Sequence, residues 1–169
     1  GWYEAAGVYG PYVATTTCSG YVASAEGTVV TAGHCVDAEG LAGGTGAILS
    51  AAAAELTSVP AEQALAYEAL ALNANVEGTA SDSPPDRTVK VTVPALSKKA
   101  HPASVQDVQP FGDGDVAVLN VTGLVAPALP LADAQPASGV GVVAAGYSGA
   151  VTEIVDSESP PTFNEGSVS

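Results

Sequence analysis

His34 stands directly before Cys35, at the end of the run Thr31-Ala32-Gly33-His34-Cys35. Imidazole is the side chain best suited to carrying a proton near neutral pH. A general base works only within hydrogen-bond reach of its partner, so the backbone that carries it must be held still. The other cysteine, Cys18, opens the stretch Cys18-Ser19-Gly20-Tyr21. Spacing alone leaves two outcomes open, a pair of buried thiols or one disulfide in an oxidising compartment. A bond would close a loop of roughly 18 residues, worth on the order of 3 kcal/mol, and would pin the strand beside the histidine.

Other chemistry-bearing residues carry weaker signals. Ser148, in Gly146-Tyr147-Ser148-Gly149-Ala150, has the surroundings of a nucleophile. A Gly-x-Ser-x-Gly elbow needs the order serine, acid, histidine. Here His34 comes first, so a turn serine after a strand is the better reading. Asp107, Asp113 and Asp115 lie close in sequence but lack the spacing of an EF-hand, and no metal or other cofactor is expected. His101, before Pro102, reads as a surface histidine in a polar connector. Asn120-Val121-Thr122 matches a glycosylation sequon, but it falls inside a strand pattern, so chance explains it better.

These side chains need elements to position them. Tyr12 to Ala14, Gly20 to Ala23 and Thr28 to Thr31 are short apolar stretches between Thr, Cys and Gly, and read as strands. Gly40 to Gly46 is glycine-crowded and reads as a loop. Ala51 to Leu56 and Pro60 to Leu72 are rich in Ala, Leu and Glu at helical spacing, with Ser58 placed to cap the second helix. The segment Ser81 to Asp86 breaks that pattern. Thr88 to Val93 alternates, with Val89, Val91 and Val93 on one face, as in a half-buried strand. Asp115 to Val121 and Gly139 to Gly146 read as further strands, joined by a proline-rich connector from Ala126 to Pro136. Many short strands with turn signals suggest an all-β barrel or sandwich with a helical insertion.

The Thr31–Cys35 run, with Cys18 upstream inside Cys-Ser-Gly, resembles the chymotrypsin-like (trypsin-like) serine peptidases, in a secreted bacterial form. The resemblance implies a disulfide between Cys18 and Cys35 and a catalytic role for His34. It also implies an aspartate at the head of an apolar strand, which Asp115-Val116-Ala117-Val118-Leu119 supplies. Asp113, in the loop Gly112-Asp113-Gly114, is the competitor, and Asp107 is more distant. The implied fold is a double β-barrel. Residues 1–125 would form the first barrel, with an insertion at about 49–87, and residues 126–169 a linker and the first strands of a second barrel. Gly141 to Tyr147 and Phe163 to Ser169 resemble strands of that second barrel. The family's nucleophile box, Gly-Asp/Asn-Ser-Gly-Gly, does not occur in the 169 residues. The nucleophile is therefore expected beyond this chain, in a remaining C-terminal half or a partner chain.

Composition narrows the partners. Eighteen acidic residues face four basic ones, for a net charge of −14. Nucleic acid wants a basic face and is excluded as a partner, as is an anionic lipid surface. No apolar run approaches the ~20 residues of a membrane helix. The expected protein is a secreted or extracytoplasmic endopeptidase acting on polypeptide. The alternative is a non-catalytic accessory subunit of a cell-envelope complex built on the same scaffold.

Overall fold

The structure, a computed structural model, describes residues 11–40, 44–80, 82–146 and 161–169. The chain forms two compact units, one from residues 17–35 with 88–169 and one from 11–16 with 36–87.

The first unit is built on a curled antiparallel sheet of five strands, half of a barrel. Its strands are β1 (Gly20–Val22), β2 (Thr28–Thr31), β3 (Val89–Thr92), β4 (Ala100–Gln109) and β5 (Val116–Val121), in the order β1-β2-β5-β4-β3. Period-two burial is clearest in β5. Ala117, Leu119 and Val121 are buried, while Val116 and Asn120 are exposed. Val29 of β2 joins this core, and Leu124 and Ala126 extend it past the end of β5. In β3, Val89 and Val91 are half-buried and Lys90 and Thr92 exposed, as the alternation predicts. Residues 141–146 and 162–167 form a second sheet of two antiparallel strands, β6 (Gly141–Gly146) and β7 (Thr162–Ser167).

The ten residues of β4 differ from the expected polar connector. Ala, Ser, Gln and Pro hide the strand because it buries little. His101 sits within it, opposite Val91, rather than on an irregular surface segment. Pro102 brings no N–H, but its carbonyl accepts the Thr122 N–H at 3.0 Å, so the residue is tolerated. A bulge between Val105 and Asp107 adds one residue to β4. Before it the half-buried positions are His101, Ala103 and Val105; after it the half-buried position is Val108.

The second unit packs two helices, α1 (Thr45–Leu56) and α2 (Pro60–Asn73). Leu49, Ala52, Ala53, Ala66 and Leu70 form its core, and small alanines let the helices approach closely. The helix α1 begins earlier than the alanine-rich run suggests, taking in Thr45 and a buried Gly46 from the expected loop. Ser58 does not cap α2. The cap position is Val59, and Thr57 does the polar work instead, its hydroxyl accepting from the Val59 N–H and donating to Glu62. Tyr12 lies in no strand. It packs against the helical core, where burial and the Glu55 carboxylate push its hydroxyl above the usual tyrosine value.

Leu119 is 3% exposed at the centre of the sheet. Leu119→Ala is expected to lower unfolding free energy by about 2–5 kcal/mol, measured by urea denaturation of the whole chain. A loss under about 1 kcal/mol would mean that this face is not a packed core.

Candidate active site

Antiparallel pairing sets the site. Thr31, the last residue of β2, pairs with Ala117 near the start of β5. The segment leaving β2 and the segment entering β5 therefore emerge side by side at one end of the sheet. His34 comes three residues after Thr31, and Asp115 two before Ala117.

Each segment is shaped by local chemistry. Gly33–Cys35 forms a 3-10 turn that lifts His34 off the strand end. A side chain at Gly33 would put its Cβ 2.0 Å from the Gln109 carbonyl oxygen, so only glycine lets the two segments close. Cys35 is bonded to Cys18, with Cα atoms 6.2 Å apart. The Thr31 hydroxyl donates to the Ser19 carbonyl at 2.7 Å, a second tie between the same segments. On the other side, Phe111–Asp113 is a 3-10 turn. Both Asp113 and Asp115 donate their backbone N–H to the Pro110 carbonyl, at 2.9 and 3.1 Å. Gly114 follows at φ +130°, and Asp115 itself sits at φ +54°. That left-handed conformation is uncommon outside glycine, and Asp and Asn tolerate it best.

The outcome is a two-point hold on one histidine. Asp115 Oδ1 accepts the His34 backbone N–H at 2.8 Å. Nδ1 of the ring lies 2.9 Å from both Asp115 oxygens. An ionised carboxylate only accepts, so the neutral ring carries its proton on Nδ1 and donates it to Asp115. Nε2 is then left with its lone pair, and no described residue hydrogen-bonds it. The His34 side chain is 44% exposed, so that nitrogen is open to an incoming group. Phe111 places its ring edge-on to the imidazole, with centroids 6.4 Å apart. Such an arrangement restricts ring rotation on one side.

Sequence reasoning named His34, Asp115, Cys18 and Cys35, and the structure brings all four together. Asp113 lies on the exposed 3-10 turn and Asp107 in β4, where its carboxylate accepts the Val108 N–H; neither bonds to His34. Ser148 lies outside the described residues. Among the described residues, only Cys18, His34 and Cys35 offer a cluster of metal-ligand atoms, and both sulfurs are committed to the disulfide. Gly33 is marked in the sequence only as part of the Thr31–Cys35 run, which does not show its close approach to Gln109, and Phe111 carries no sequence signal.

Two outcomes test the geometry. The His34 backbone N–H, then its ring N–H, hold the Asp115 carboxyl below the usual aspartate range. The folded value lies below the unfolded one, so the stability this gives is complete above the ordinary carboxylate pKa. It is lost as pH falls through the lowered value. In an NMR titration the Asp115 side-chain carbon and the His34 amide should move together, with a midpoint below that of a free aspartate. Separate midpoints, or one at the ordinary value, would contradict the bond. Separately, the Cys18→Ala, Cys35→Ala double variant should lose about 3 kcal/mol of unfolding free energy, read from denaturant melts.

No protein-family model, curated protein or solved structure matches this chain, so the site is characterised by its own geometry.

Proposed function

We propose that this chain carries the histidine and aspartate of an extracytoplasmic serine endopeptidase of the chymotrypsin-like type. One observation carries the reading: Asp115 engages both the ring Nδ1 and the backbone N–H of His34. That arrangement fixes the tautomer that makes Nε2 a base.

In the proposed reaction Nε2 removes the proton of a serine hydroxyl as its oxygen bonds to the scissile carbonyl carbon. The imidazolium so formed is balanced by Asp115, which stays ionised. Nε2 then delivers the proton to the leaving amine as the C–N bond breaks. Water, activated by the same nitrogen, releases the acyl group from the serine. Backbone N–H groups beside the serine would hold the oxyanion.

The serine itself is proposed to come from polypeptide outside these 169 residues, in further chain or in a partner subunit, because the sequence contains no Gly-Asp/Asn-Ser-Gly-Gly box. The β6–β7 pair favours this. Val142, Val143 and Phe163 on it are exposed, and two strands alone are marginal in water, so added strands would give the pair a core. In this reading the five-stranded sheet belongs to the first barrel and β6–β7 begins the second. The disulfide fits an oxidising compartment, and no helix among the described residues is long and apolar enough to cross a membrane.

A second reading, a non-catalytic accessory protein on the same scaffold, is favoured by the absent serine box and the added helical unit. Treating the complete gene product with a fluorophosphonate separates the two. The protease reading expects covalent labelling of a serine, no turnover by His34→Ala, and a kcat for Asp115→Asn lower by about 10⁴-fold. Labelling that survives His34→Ala unchanged would overturn it. A gene product with the box serine replaced would establish the accessory role.

A further inference from the structure

The five-stranded unit holds a second feature, remote in sequence from His34. A hollow of about 270 Å³ opens between the β3–β4 connection and the segment that follows β5. Its walls include Val93, Leu96, Leu124 and Val125, and its polar groups include Lys99 and His101. Leu124 is buried, while Leu96 and Val125 stand exposed at 52% and 83%. No residue of the hollow belongs to the His34–Asp115 site.

The charge here runs against the rest of the molecule. The chain has four Lys and Arg residues, and three of them, Lys90, Lys98 and Lys99, lie on β3 or on the turn that leads into β4. The fourth, Arg87, donates to the Val36 carbonyl in the helical unit. No described residue forms an ion pair or hydrogen bond with the Lys99 ammonium or the His101 ring. Two donors therefore line the same hollow as the apolar side chains, with no carboxylate bonded to them among the described residues.

We propose that this hollow binds the C-terminal carboxylate of a peptide whose last residue is apolar. The ammonium of Lys99 and an N–H of His101 take the carboxylate, and the terminal side chain packs on Leu124 between Val93 and Leu96. A net charge of −14 repels polyanions at long range, which favours a ligand carrying one negative charge held at contact. A volume of about 270 Å³ suits one or two terminal residues. Cleavage by the proposed endopeptidase would release new C-terminal carboxylates of this kind. The binding itself is independent of that activity.

The test uses the whole chain at low ionic strength with acetyl-Ala-Ala-Leu as the free acid and as the C-terminal amide, followed by NMR. The acid should shift the His101 and Leu124 resonances and bind at least about tenfold more tightly than the amide, the difference expected for a charge-assisted pair. Lys99→Ala, an exposed change that leaves the core intact, should weaken the acid by about tenfold. Lys90→Ala should leave its affinity within about twofold. His34→Ala should change nothing, because the two sites share no residue. Equal affinity for acid and amide, or indifference to Lys99→Ala, would overturn the assignment. So would tighter binding of octanoate than of the peptide, which would point to lipid. Shifts confined to His34 and abolished by His34→Ala would place the peptide in the proposed active site, and overturn this inference while leaving the protease reading standing.

Discussion

The site depends on a carboxylate with more than one donor to satisfy. Asp115 receives a ring N–H and a backbone N–H from the same residue, so the histidine is fixed in both position and rotation. One bond alone would let the ring turn about its axis. Charge-assisted bonds of this kind are about twice as strong as neutral ones. They sit at the end of the sheet, partly open to water, and their strength depends on backbones that do not drift. The β2–β5 ladder, the Cys18–Cys35 bridge and the missing side chain of Gly33 each remove one way of drifting.

Much of this was legible in the sequence. His34 and the two cysteines stood out because a histidine directly before a cysteine is a compact local signal, carried by five consecutive residues. The strands β2, β3 and β5 announced themselves by valine-rich alternation, and α2 by alanine and leucine at helical spacing. What stayed hidden was β4. Its residues are small or polar and half-buried at best, so no hydrophobic period marks them. A strand like this is defined by the neighbours that hydrogen-bond to it, which no local window contains. The start of α1 was hidden for a related reason. Gly46 lowers helix propensity, yet it is buried, and packing outweighs propensity there. Thr57 displaced Ser58 at the start of α2 because its hydroxyl reaches both Val59 and Glu62. The choice between Asp113 and Asp115 was only weakly encoded. Both backbone N–H groups meet the Pro110 carbonyl, and it is Asp115, at φ +54°, whose carboxylate lies against the ring.

The bulge in β4 deserves its place in the same chain of causes. One added residue between Val105 and Asp107 exchanges the inward and outward faces of the remaining strand. Gln109 thus ends the strand with its carbonyl against Gly33, and Pro110 begins the turn that presents Asp115. Without that extra residue the same turn would leave the sheet with its faces reversed.

The backbone of Asp115, at φ +54°, also limits what evolution can write at that position. Branched or bulky residues are barred by their own Cβ atoms, whatever their chemistry. Glycine fits but brings no side chain, and asparagine fits but offers the ring an uncharged partner. A single-letter vocabulary remains wherever a negative charge is needed, so drift at this codon would register as loss of the charge before it registered as loss of the fold.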